Sequence, residues 1–141
     1  MQGTMENYPV KKKKKHTPHY DISVGLIWKE NKFLISKRPQ DKLLGNLWEL
    51  PGGKLEHRES LKQCLKREIK EELDIKIKKI KTVGRIKHQY SHMKLTITLF
   101  SCIHHSGIAK PLASQEVRWI TMKEKKSFAF PRATHKLFEL L

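Results

Sequence analysis

Between Gly52 and Ile75 the chain reads GGKLEHRESLKQCLKREIKEELDI, and no other stretch limits its fold as strongly. Ser60 with Gln63 three residues on makes a capping box, which starts a helix at Leu61. Leu61, Leu65, Ile69 and Leu73 then recur at helical spacing, so the helix lays one apolar stripe on a core. Asp74 stands at its exit, where Gly or Asn is the usual residue. Ahead of the helix, Pro51 fixes one backbone torsion while Gly52 and Gly53 are free to take positive φ, which predicts a turn.

On either side the periodicity changes from helical to extended. YDISVGLIW, from Tyr20, reads as a strand apolar on both faces, and KFLISKR returns from a turn at Asn31 to make a hairpin. Residues 39–46 form a loop around Pro39, Asp41 and Gly45. IKIKKIKTVGRI alternates, with Ile75, Ile77 and Ile80 facing inward. KLTITLFSCI and EVRWIT are further strands, and PRATHKLFELL is a closing helix with Pro131 in its first turn. Strands on both sides of one helix, closed by another, give an α/β fold: a mixed β-sheet sandwiched between α-helices. At 141 residues the chain suits one such domain, over residues 20–141. Residues 1–19 read as a basic flexible arm or linker, because PVKKKKKHTP buries nothing and repels itself.

No run approaches the eighteen or so apolar residues of a membrane span, and MQGTMENYPV lacks the apolar centre of a secretory signal, so a cytoplasmic location is expected. Cys64 and Cys102 lack metal-type spacing and read as buried, reduced thiols. The net charge is +16, of which residues 1–20 carry only +4 through five lysines and one glutamate. The domain itself is therefore basic and suited to polyanionic partners, nucleotides or nucleic acids.

The same helix carries a conflict. At 100° per residue Gln63, Lys66 and Lys70 point away from the apolar stripe, while Glu68 and Glu72 fall beside it with Glu71 flanking them. Glu68 and Glu72 repel as an i, i+4 pair and the helix dipole adds to this, each by a few tenths of a kcal/mol, roughly. A divalent cation bound by carboxylate oxygens would reverse the sign. Neutralisation by Lys66, Arg67 and Lys70 as surface pairs is the alternative.

Gly53, Glu59 and the run from Arg67 to Ile75 fit the pattern GX5EX7REUXEEXGU, with U aliphatic, and the chain thereby resembles the Nudix family, departing only where Asp74 replaces the last Gly. The resemblance implies the Nudix fold and hydrolysis of a diphosphate linked to a nucleoside. It implies Glu68, Glu71 and Glu72 as ligands of Mg²⁺ or Mn²⁺, helped by the Gly52 carbonyl. Arg67 would orient an acid of the box, Glu59 would support the loop, and the proton of the attacking water would pass to Glu71 or to Glu116, in the loop before VRWIT. YDISVGLIW, ISKRP and WELPGGKLE resemble the MutT branch, whose substrates are nucleoside triphosphates, oxidised ones included, and whose products are the monophosphate and pyrophosphate. Arg38 would contact substrate phosphate, with Gly53 beside it. The asparagine that reads the base in MutT has no counterpart in Pro131, Arg132, Ala133 and Thr134.

A second likeness runs through PVKKKKKHTP, HQYSHMKLTITLF and FAFPRATHKLFELL, which resemble the C-terminal domain of the adenine DNA glycosylase MutY. It implies a DNA-repair role in which Tyr90, Ser91 and His92 contact 8-oxoguanine in duplex DNA. The glycosylase's iron–sulfur cysteines are not among these residues. His88 and His92, four apart on an expected strand, would share a face, and Trp48 and Trp119 read as core.

Overall fold

The computed structural model describes residues 17–141, so the expected arm lies outside the described residues except at its end. Strand β1 (His19–Lys29) begins one residue before the expected start. It turns at Glu30 and Asn31 into β2 (Lys32–Lys37), with Trp28 opposite Phe33 and Lys29 opposite Lys32. Two short strands follow, β3 (Trp48–Glu49) and β4 (Gly52–Lys54). Helix α1 (Leu61–Leu73) leads into a long hairpin of β5 (Lys76–Tyr90) and β6 (Met93–Ser106). Strand β7 (Glu116–Ile120), a 3-10 turn at Lys123–Ser127 and helix α2 (Arg132–Phe138) complete the chain.

All seven strands belong to one mixed sheet. Its axis is β1, which pairs in parallel with β6 from His19–Lys94 to Trp28–Ile103. On its other side β4 is antiparallel to its first half and β2 to its end, and Gly25 donates to the Pro51 carbonyl between them at 2.9 Å. Strand β2 also carries β3 and β7.

Alternation along these strands feeds two cores, one on each face. Val24, Leu26, Phe33, Ile35, Ile97 and Leu99 pack with Ala133, Leu137 and Phe138 of α2. Ile27, Leu34, Phe100 and Cys102 point the other way and pack with Leu65, Ile69 and Leu73 of α1. Each fully buried aliphatic side chain here removes apolar surface worth about 1.5–3 kcal/mol. The sheet is thus held between its helices, the Nudix arrangement. Trp48 is buried in the first core and Trp119 packs against the second; Cys64 and Cys102 are both free and buried.

The helix is bounded as its sequence dictates. Ser60 accepts from the Gln63 N–H while the Gln63 side chain accepts from the Ser60 N–H, and Asp74 caps the far end in the left-handed region at φ 57°. Lys70 and Lys110 pair with the Asp74 carboxylate, which holds its pKa down.

Four local expectations need correction. Gly52 and Gly53 are strand residues; Gly52 has φ 159°, whereas Gly53 does not have positive φ. They are glycines for want of space: a Cβ on Gly52 would strike the Ser23 carbonyl, and one on Gly53 would fall on the Glu68 carboxylate. Pro131 is the N-cap of α2 and lies outside its first turn. Glu116 opens strand β7, opposite Lys37, instead of sitting in a loop. His92 lies in the turn between β5 and β6, so it shares no strand face with His88, which accepts from Lys136 Nζ at 3.0 Å. Among the described residues no helix is long and apolar enough to cross a membrane.

Replacing Ser60 with Ala removes one half of the capping box. It is expected to lower unfolding free energy by about 1 kcal/mol in a denaturant titration, with the far-ultraviolet circular dichroism of the folded protein unchanged.

Candidate active site

The antiparallel pairing of β4 with β1 lays the Pro51–Gly53 backbone beside α1, and the acids of the helix edge meet it there. The Glu68 carboxylate packs on the bare Cα of Gly53. Cys64 Sγ donates to the Gly53 carbonyl at 3.5 Å and Ser23 Oγ to the Leu61 carbonyl at 2.7 Å, which clamp helix, glycines and β1 together.

Arg67 ties the preceding loop to the helix. Its guanidinium donates to Glu59 Oε2 at 2.6 Å and Oε1 at 3.0 Å, to the Lys54 carbonyl at 3.0 Å, to Glu68 Oε2 at 3.1 Å and to Glu71 Oε1 at 3.2 Å. The Glu59 bond first and the Glu68 bond next raise its own pKa, while Glu59, held by Arg67 first and by the Glu56 N–H next, falls to about 2.

Glu72 lies one helical turn beyond Glu68. Burial above all, then the Glu68 and Glu49 carboxylates, push its pKa up to about 8, against a smaller opposing effect of the Gly52 N–H. Glu68, Glu72 and Glu49 therefore form the acidic part of the site, whereas Glu71 is turned to Arg67. Among the described residues, no three acids, histidines or cysteines converge closely enough to enclose a metal ion in this arrangement.

Beside these acids opens a cavity of about 460 Å³, a volume suited to a small ligand. Arg38, Glu49, Gly52, Gly53, Lys54 and Glu72 line its polar end. Arg38 bridges to Glu49 at 3.1 Å and donates to the Leu43 carbonyl at 2.8 Å, and burial nevertheless raises the Glu49 pKa. The apolar end is formed by Ile22, Val24, Leu95, Ile97 and Leu137. Tyr90, Met93 and Thr134 also face it. Thr134 is only 5% exposed.

The site residues expected from sequence thus separate into groups. Arg38, Gly52, Gly53, Glu59, Arg67, Glu68, Glu71 and Glu72 are gathered at the cavity and the loop beside it. Tyr90 joins them, facing the cavity, while Ser91 and His92 are exposed at the hairpin turn. Glu116 pairs with Arg118 on β7 and does not line the cavity. Glu49 was not anticipated, although an acid set between Trp48 and Leu50 in an apolar piece is itself a signal of a buried charge with a partner.

Residues 23–140 match the family model described as the NUDIX domain. The 8-oxo-dGTP diphosphatase of Buchnera aphidicola subsp. Schizaphis graminum is 35% identical over 111 residues, which are 79% of this chain and 84% of that protein. The solution structure of the E. coli ORF135 protein superposes with a TM-score of 0.76 at 25% identity, covering 88% of this chain and 89% of that one. The adenine DNA glycosylase of Homo sapiens is 27% identical over 109 residues, 76% of this chain but only 20% of the human protein. The chain belongs to the Nudix hydrolase family, on its MutT-like side. Members of that family typically depend on a divalent metal.

Glu59 and Glu72 set opposite pH dependences. Glu59 is depressed on folding, so its contribution is present above its unfolded value of 4.5 and lost as pH falls toward 2. Glu72 is raised, so the folded protein keeps a proton that the unfolded chain releases, and stability is lost as pH rises from 4.5 to about 8. In chelator-treated protein, Glu59→Gln is expected to be less stable than the parent at pH 7, with the gap closing below pH 4.5. Glu72→Gln is expected to be more stable than the parent above pH 8. Urea titrations across that range check both.

Proposed function

We propose that the chain is a divalent-metal-dependent pyrophosphohydrolase of nucleoside triphosphates, oxidised purine triphosphates among them, releasing the monophosphate and pyrophosphate. The observation that carries this is the junction of two unlike surfaces in one cavity: half-buried carboxylates against a Gly-Gly backbone at one end, an apolar slot at the other. A nucleotide has that same division into phosphates and base. The name of the Buchnera relative, an 8-oxo-dGTP diphosphatase, supports the oxidised substrate.

The donor set fits Mg²⁺ or Mn²⁺, since Glu68 and Glu72 offer hard oxygens and burial, then the nearness of Glu68, already raises the Glu72 pKa. With the Gly52 carbonyl and Glu71 these residues would hold the ion. When bound, it supplies neutralisation of phosphate charge and activation of the attacking water. The chain's own residues do the rest. Glu71, 59% exposed, is free to exchange its Arg67 contact for the site and to accept the water's proton. Arg67 and Glu59 hold the loop and the helix in register. Arg38, fixed by Glu49 and the Leu43 carbonyl, directs positive charge at the phosphates, and Lys54 adds to it. Tyr90 forms a wall for the base, and Thr134 presents a buried hydroxyl to its edge, where one donor and two acceptor positions suit several base patterns.

Assays of pyrophosphate release from 8-oxo-dGTP, dGTP, dCTP and dATP with Mg²⁺ test this. Glu71→Gln is expected to lower kcat by about 10²–10⁴, and Glu72→Gln to raise the Mg²⁺ concentration required. Tyr90→Ala is expected to raise KM with little change in kcat. Equal, negligible release by the parent and Glu71→Gln would reject the proposal.

A second function, recognition of 8-oxoguanine in duplex DNA, draws on the glycosylase match and on Ser91 and His92 standing exposed at the hairpin turn. It requires tighter binding to lesion-bearing duplex than to undamaged duplex, and loss of that preference in Ser91→Ala/His92→Ala.

A further inference from the structure

From Ile75 to Gln115 the sequence holds no Asp or Glu. The β5–β6 hairpin within it carries Lys76, Lys78, Lys79, Lys81, Arg85, Lys87 and Lys94, all exposed. Among the described residues, none of the seven has a carboxylate within ion-pair distance. Six of them lie on β5, which ends the sheet: it pairs with β6 and, among the described residues, with no strand on its outer side. A bulge between Lys78 and Lys81, with Lys79 in the left-handed region at φ 53°, breaks the simple alternation of their side chains. Like charges along one strand repel, so the sequence maintains here a cost that packing does not require.

The basic surface extends past the strand. Arg132 and Lys136 of α2 lie close enough to His88 to lower its pKa, although burial is the larger cause. At the hairpin end a shallow depression of about 470 Å³ is lined by His19, Lys87, Gln89, Lys94 and Thr96, with His19 Nε2 and Thr96 Oγ1 2.7 Å apart. Asp21 faces Thr96 two strands in from Lys87. In sequence, Lys11–Lys15 come four residues before His19.

This surface is separate from the cavity of the acids, whose lining includes none of the seven cations. Its chemistry narrows the partner. Among the described residues the exposed large apolar ones are Leu43, Ile103, Ile108, Leu112 and Leu141, of which only Ile103 lies on the hairpin. A protein interface or a membrane surface would use apolar anchors that β5 does not offer. Single strands are gripped by stacking on aromatic side chains, and Tyr90, the aromatic of β5, faces the nucleotide cavity. What remains is an extended sheet edge with cations on both of its sides, matched by the phosphate backbone of a duplex with about one negative charge per 1.7 Å.

We infer that the outer edge of β5, with Lys94 and the adjoining end of α2, is a sequence-independent binding surface for duplex DNA. It uses the strand edge and needs neither a lesion nor the hairpin turn, so it stands apart from the glycosylase-like function above.

The test is fluorescence anisotropy with an undamaged 24-base-pair DNA duplex over a range of NaCl concentrations. The variant Lys81→Glu/Arg85→Glu/Lys87→Glu is compared with Lys62→Glu/Lys123→Glu/Lys126→Glu, an equal charge change at exposed lysines elsewhere. The parent is expected to lose affinity steeply with salt. The β5 variant is expected to bind at least tenfold more weakly, with a log–log salt slope shallower by about 2–3, and to retain nucleoside triphosphate hydrolysis. The control variant is expected to stay within a few-fold of the parent. Absence of binding at 50 mM NaCl, equal losses in the two variants, or tighter binding of single-stranded RNA or polyglutamate than of the duplex would each overturn the inference.

Discussion

A single guanidinium reconciles the site with the fold. The carboxylates of Glu59, Glu68 and Glu71 all approach Arg67, which is only 23% exposed and so less screened than a surface arginine. Without that charge, the loop from Leu55 to Ser60 and the second half of α1 would repel one another across the Gly-Gly strand. With it, the loop is fastened to the helix by the bidentate Glu59 contact and the Lys54 carbonyl. Glu72 makes no ion pair with Arg67, and its partial burial, then the Glu68 and Glu49 carboxylates, drive it toward its neutral form against the smaller effect of the Gly52 N–H.

The apolar side of the site is not an addition to the fold. Val24, Ile97 and Leu137 belong to the core between the sheet and α2 and also line the cavity. The core therefore ends in an open slot, with α2 too short to cover the whole sheet face. Its 7 residues leave the hairpin end exposed, and Tyr90 and Met93 close that side. The shape of the slot is set by the same side chains that hold α2 in place, so changes to it carry a stability penalty.

Much of this could be read in the chain beforehand, for reasons that differ by element. Helix α1 was legible to the residue because its cap, stripe and exit are local signals that the rest of the fold does not override. The acids were legible because their placement conflicts with local energetics. The positive φ expected of the two glycines holds for Gly52 and fails for Gly53; the close approach of Ser23 and Glu68 to them is not a local property and exists only after β4 has paired with β1 and α1 has docked. His92 was assigned to a strand because nothing in HQYSHMK marks the turn with Gly or Pro. Glu49 and Thr134 became visible only as cavity residues, since their neighbours come from β1, β6 and α1, distant in sequence. The orientation of Tyr90 depends on the same distant packing.

The central strand has its longest partner far along the chain. His19 to Trp28 are matched by Lys94 to Ile103, across more than half the sequence, and the pairing is parallel. Such contacts are slow to form, because a large loop must close before any of them is gained. During synthesis the β1–β2 hairpin and α1 emerge with their apolar faces unmatched; the core against α1 stays open until β6 arrives, and the other until α2 follows it. Order of assembly is thus imposed by connectivity: the last long strand to emerge closes the sheet, and a chain halted before it would present sticky, half-built layers to its neighbours.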